Sequence, residues 1–268
     1  MAGRPDGAGS SGGVVLDAGD PLAVAVTGAI RSGDVATLRE LLDAHAGLAA
    51  AGVERHGEAA GTRSLLHLAT DWPGHFPAGP ETIAVLVAAG ADPDARFVGA
   101  HRETPLHWAA SNDDVAAVDA LVAAGADIEA DGAVIGGGTP LADARGFGQW
   151  RAARRLLELG ARTTLQDAAT LGLLDRVTSC VEAGPQDTDA TTDDATHSAA
   201  TAADITSAFW GACHGGHLAT ARYLAAQGAD LDWIGYDDMT PLDIAVEAGA
   251  DDVAEWLRAE GARHRRDV

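Results

Sequence analysis

Apolar residues fall in short runs along this chain, separated by polar triplets and single glycines. The stretch from 104 to 130 is the clearest. Thr104 can cap a helix with its hydroxyl. Pro105 suits the first helical position, where a missing N–H costs nothing. Leu106 and Ala109 then share one helical face. Ser111-Asn112-Asp113 breaks the run. A second helix is predicted from Asp114, with Val115, Val118, Leu121 and Val122 on its apolar side. Gly125 ends it with a left-handed stop, where a side chain would clash. Ala126-Asp127-Ile128 leads into a turn toward the next such segment.

The same layout recurs. Gly-Ala pairs follow apolar runs at Gly90, Gly125 and Gly160, spaced 35 residues apart, and at Gly228 and Gly261, spaced 33 apart. Thr-Pro-Leu stands 21 residues before three of these glycines, at Thr104, Thr139 and Thr240. Two independent markers at one fixed separation indicate a repeat. Each predicted helical hairpin is too small to bury its own apolar faces, so neighbours must stack.

The carrying motifs are TPLHWAA (104–110) with VDALVAAGADIEA (118–130), and TPLADA (139–144) with RRLLELGA (154–161). AFWGACHGGHLATARYLAAQGADLD (208–232) and TPLDIAVEAGA (240–250) complete the set. The pattern resembles the ankyrin repeat family, and in composition its bacterial members, over roughly residues 20 to 263. The resemblance implies an all-α fold. The expected form is an α-solenoid of about seven helix-turn-helix repeats with short β-hairpin-like finger turns. The first repeat, near Pro21 to Ala50, lacks the Thr-Pro-Leu turn and reads as a cap. The second carries Leu66-His67-Leu68-Ala69 and is lengthened by the insertion Trp72–Pro80. The fifth starts three residues after Gly160, too soon for a full finger. Residues 1–18 are expected to be a disordered N-terminal segment and 19–184 repeats one to five. An acidic flexible loop is expected over 185–204, repeats six and seven over 205–263, and a polar tail over 264–268.

Charge narrows the range of partners. Among 268 residues, 40 are acidic and 18 basic, and every basic residue is Arg, for a net charge of −22. Such a surface repels phosphate backbones and anionic lipid, so no nucleic acid and no membrane is expected as a partner. No apolar run is long enough to cross a membrane, and the opening MAGRPDGAGSSGG lacks the apolar segment of a secretory signal. Cys180 and Cys213 make no disulfide framework. A cytoplasmic monomer is expected.

The resemblance implies that fingers and first-helix ends receive a protein partner. Carried onto this chain, the partner-binding candidates are Trp72, Phe97, His101, Glu103, Asn112, Phe147, His214, Tyr236 and Asp237. Trp72, Phe97, Phe147 and Tyr236 are the proposed anchors, because an exposed aromatic buries much area at low entropy cost. The finger 233–238 reads equally as a contact point or as packing between the last two fingers. His67 and His107 follow the turn leucine. In the family, this imidazole bridges backbone groups of adjacent turns. His217, after Gly216, reads as the structural start of a second helix. Cys213-His214-Gly215-Gly216-His217 has zinc-ligand chemistry, but the thiol should face the core and His214 the binding face. Cys180 replaces an expected Leu and reads as a buried thiol.

Enzyme templates fail. The chain has no G-x-S-x-G elbow and no phosphate loop ending in Lys-Ser/Thr. Gly136-Gly137-Gly138 reads as a turn. No catalytic residue, metal ligand or cofactor is assigned. The expected function is a non-catalytic protein–protein interaction scaffold whose partner carries a basic surface. The alternative is a small-molecule or catalytic pocket near Trp72, His101 and His214, with Asp71 as a further polar group. That alternative requires those side chains to converge.

Overall fold

The computed structural model describes residues 14–57, 60–183 and 200–268. The expected disordered segment up to residue 13 and the acidic loop from 184 to 199 lie outside these residues. Two compact units divide the chain, Met1–Ala161 and Arg162–Val268.

The first unit opens with strand β1 (Val15–Asp17), followed by helices α1 (Pro21–Ser32) and α2 (Val35–Ala44). Strands β2 (Gly52–Arg55) and β3 (Gly61–Ser64) lead into α3 (Leu65–Thr70) and α4 (Gly79–Ala88). Two more pairs follow: α5 (Pro105–Ser111) with α6 (Val115–Ala123), and α7 (Pro140–Gly146) with α8 (Trp150–Glu158). The first helices of successive pairs pack in one row and the second helices in another. Leu66, Leu86, Leu106, Leu121, Leu141 and Leu156 are fully buried between the rows. β2 and β3 form an antiparallel finger with Gly52 opposite Ser64, and β1 adds in parallel with Val15 opposite Gly52. So Val15–Asp17, inside the segment expected to be disordered, is a paired edge strand.

Capping explains why the short first helices form. Ser64 N–H donates to His67 Nδ1 at 3.3 Å, and Thr104 N–H donates to His107 Nδ1 at 3.1 Å. Each Nδ1 therefore accepts, and each Nε2 carries the proton. His67 Nε2 donates to the Glu103 carbonyl at 3.1 Å, and His107 Nε2 to the Gly138 carbonyl at 3.3 Å. One imidazole thus closes its own helix and ties it to the next finger, as the resemblance implied. Burial pushes both imidazoles down to about 4, so they are neutral at physiological pH. Asp114 caps α6 through the Ala117 N–H at 3.0 Å, so that helix starts one residue later than the sequence suggests. The insertion is pinned, with His75 N–H donating to Asp114 Oδ2 at 2.6 Å.

The second unit contains α9 (Leu165–Thr170), α10 (Leu174–Glu182), α11 (Ala202–His214), α12 (Leu218–Ala226), α13 (Pro241–Glu247) and α14 (Asp251–Ala259). Phe209, Leu224, Leu242 and Leu257 lie in its core. Three of its helices start with an Asp in the capping box, where α3 and α5 of the first unit use His. Asp167, Asp204 and Asp243 each close a box with the Thr three residues earlier. The Thr201–Asp204 box starts α11 at Ala202, inside the stretch expected to be loop. Cys213 is fully buried, whereas Cys180 is only half-buried, against the expectation of a buried thiol. The short tail is tied back: His264 Nδ1 lies 2.7 Å from Asp243 Oδ1, and the Arg265 N–H donates to Asp243 Oδ2 at 2.8 Å. Burial opposes ionisation of Asp243, but hydrogen bonds from His264, Arg265 and Thr240 outweigh it and hold the carboxyl at about 2.

Candidate functional site

Each unit presents one aromatic cluster where a finger meets the first helices. In the first unit, Phe97 on a finger packs on Trp108 of α5, with centroids 5.5 Å apart. Trp108 stands edge-on to His67 of α3 at 4.8 Å. Phe97 is half-buried, and Gly61 lets its ring lie against the backbone: a β-carbon there would come within 2.5 Å of the ring. Beside the cluster, Asp71, Trp72, Trp108, Ser111 and Asn112 line a shallow groove of about 210 Å³. Trp72 is 79% exposed, and Asn112 Nδ2 donates to the Thr70 carbonyl at 2.8 Å, linking neighbouring repeats. Asp71 Oδ2 accepts from Arg31 Nη2 at 2.7 Å and from Arg63 Nη1 at 3.0 Å, so its charge is neutralised within the fold.

Glu103 stands differently from its sequence expectation. It is 8% exposed, so a partner on the finger would not touch its carboxylate directly. The finger folds inward and lets the Trp108 indole N–H bond to it. Burial, reinforced by the nearby Asp143 carboxylate, pushes Glu103 up to about 7. Asp143 is fully buried and pushed up to about 6 by that burial. It accepts from the Ile135 N–H at 3.0 Å through Oδ1, while Oδ2 has no partner among the described residues. His101 is exposed on the same finger, near enough to favour the Asp143 anion. Phe147, which caps the end of α7, is 46% exposed.

In the second unit, Tyr236 on a finger packs beside Trp210 of α11. Its ring lies 5.2 Å from Trp210 at 73° and 5.9 Å from Trp233 at 84°. Its hydroxyl accepts from Gln166 Nε2 at 3.1 Å and lies 3.2 Å from Ser207 Oγ. Tyr236 nevertheless remains 43% exposed. The finger is therefore packed internally and still leaves part of the Tyr236 ring exposed. His214 is half-buried, 5.6 Å from Trp210. Asp237 is exposed at the tip, in left-handed backbone at φ 55°.

The structure thus brings Trp72 and Asn112 to one groove, Phe97 and Glu103 around Trp108, and His214 and Tyr236 around Trp210, with Asp237 exposed next to Tyr236 in the chain. Trp72 and His101 belong to the first unit, His214 to the second. Sequence reasoning missed Trp108 and Trp210. Trp210 stands seven residues before His217, as His107 stands seven before Asp114. It occupies the bridging-histidine position, and its Nε1–H donates to the Met239 carbonyl at 3.1 Å. That count was available in the sequence. Burial pushes the Cys213 thiol far up, away from the thiolate a metal would need. Among the described residues, no three His, Cys, Asp or Glu side chains are grouped to hold a metal ion.

The repeated hairpins, capping boxes and bridging side chains have a counterpart among known families. A family model described as ankyrin repeats (3 copies) matches residues 77–167 and again 168–267. The chain belongs to the ankyrin-repeat family. Ankyrin repeats are generally protein–protein interaction modules and typically non-catalytic. The family match lends no support to the small-molecule alternative. No curated protein matches this ankyrin-repeat chain. Among its described residues, no helix is long and apolar enough to cross a membrane.

Proposed function

We propose that this ankyrin-repeat chain is a non-catalytic scaffold of the cytoplasm that binds a protein partner on its finger and first-helix faces. The observation that carries the proposal is the pair of aromatic clusters. Trp72 and Tyr236 are exposed; Asn112, beside Trp72, bonds the Thr70 carbonyl, and Gln166 holds the Tyr236 hydroxyl. Rings held in place before binding lose little freedom on contact, and a rigid surface binds with a smaller ordering cost. His101, Phe97, Phe147, His214 and Asp237 extend these faces, and Glu103 supports one from beneath. The net charge of −22 favours a partner with a basic patch and speeds its approach. Two free cysteines suit a reducing compartment.

Co-purification with the native full-length protein tests the proposal. The control is the triple variant Trp72→Ala, Phe147→Ala, Tyr236→Ala, checked for an unchanged unfolding midpoint. A partner held by the wild type and lost from the variant supports the assigned face. Equal recovery on both would refute it. Raising salt from low to physiological should slow association with that partner, and an unchanged rate would remove charge steering from the account.

A further inference from the structure

We infer that the tip of the last finger, Tyr236 with Asp237, is a subsite for an arginine side chain of the partner. This rests on the scaffold reading and adds the chemistry of one contact. Four observations converge on it. Tyr236 offers an aromatic surface that is 43% exposed and fixed in orientation by Gln166 and Ser207. Asp237 follows directly, exposed, and has no ion-pair partner among the described residues. Two arginines of the same unit are engaged elsewhere: Arg263 pairs with Asp232 at 2.7 Å and Arg265 with Asp238 at 3.0 Å. Finally, the protein as a whole is strongly anionic.

The first unit supplies the contrast. Its groove also has exposed indole surface, but Asp71 is already neutralised by Arg31 and Arg63. Trp72 can therefore anchor an apolar side chain without selecting a cation. At Tyr236 the carboxylate is unclaimed. A guanidinium fits such a place better than an ammonium. It lies flat on an aromatic ring and presents parallel N–H groups to a carboxylate, whereas lysine offers only a hydrated point charge.

The test uses the full-length ¹⁵N-labelled protein and two capped peptides of equal charge, one alternating Arg with Gly, the other Lys with Gly. The readout is the set of six tryptophan indole N–H resonances, assigned by substitution to Phe. The Trp210 indole is the reporter, because it packs on Tyr236 and donates to Met239. The Arg peptide should shift the Trp210 and Trp233 signals saturably, and the Lys peptide should bind more weakly. Tyr236→Leu and Asp237→Asn should each weaken Arg-peptide binding about 2- to 5-fold. Asp237→Asn is the safeguard if Tyr236→Leu perturbs the finger, since Asn tolerates left-handed backbone. Equal affinity for the two peptides, or undiminished binding by Asp237→Asn, would overturn the inference. Shifts confined to Trp72 and Trp108 would overturn it too, while leaving the scaffold reading in place. Silence at every indole would also sink the subsite. The scaffold reading would then be decided separately, by the co-purification result.

Discussion

Replacing Glu103 by Gln should stabilise the protein at pH 8 and leave it unchanged at pH 4.5. Glu103 is buried under a finger, and its carboxyl is raised from 4.5 to about 7. In the unfolded chain it would titrate at the ordinary value. Between those two values the folded protein holds a proton that the unfolded chain has released. Stability from this group is therefore complete below pH 4.5 and is lost as pH rises to about 7. At about 1.4 kcal/mol for each pH unit across that window, the loss reaches roughly 3 kcal/mol. Gln keeps an acceptor for the Trp108 N–H and removes the titration. It also relieves Asp143 of a neighbouring carboxylate, an effect of the same sign. The assay is urea unfolding followed by far-ultraviolet circular dichroism, at pH 4.5, 6 and 8, for wild type and Glu103→Gln. The gap between the two proteins should open steadily with pH. A constant gap, or a variant less stable at pH 8, would show that the carboxylate is not penalised where it sits.

His67 and His107 should act in the opposite sense. Both are lowered from 6.5 to about 4 by burial, so the unfolded chain takes up protons first and their stability contribution is lost as pH falls from 6.5 toward 4. In His67→Gln the acid side of the stability curve should flatten, as read from urea midpoints between pH 4 and 6.5. Truncating Leu106, Leu156 or Leu242 to Ala should cost about 2–5 kcal/mol in denaturant unfolding, because each is fully or almost fully buried. Phe147→Ala should leave the unfolding free energy within about 0.5 kcal/mol of wild type while weakening partner binding. Loss of the folded circular-dichroism signal would instead place that ring inside the core.

The helical hairpins were legible because their signals are local. Thr104, Pro105 and Gly125 each start or stop a helix by their own backbone chemistry, and these positions behave as read. The bridging role of His67 and His107 followed from the turn motif they sit in. What depends on distant partners was hidden. Val15–Asp17 reads as Gly-rich tail until Gly52–Glu54 is placed beside it. Glu103 looks like a solvent-facing finger residue, and only the inward fold of that finger puts it against Trp108. Trp210 escaped because its repeat has no Thr-Pro-Leu marker, although the interval to His217 reveals its place. Tyr236 could be named from sequence as an aromatic on a finger. Its fixed orientation could not, because Gln166 lies 70 residues away.

The tie between Asp243 and the end of the chain bears on how such arrays lengthen. In α3 and α5, the residues at this helix position, His67 and His107, reach forward to hold the finger that comes next. In the last repeat Asp243 turns to His264 and Arg265 instead, while Thr240 Oγ1 donates to the Arg263 carbonyl at 3.0 Å. The final residues occupy the place of a further finger. A repeat grafted on after Gly261 would have to displace His264 and Arg265 from Asp243. The same Thr–Asp box opens α9, which further helices follow, so it is the hold of His264 and Arg265 on Asp243, and not the aspartate itself, that a designer would have to release.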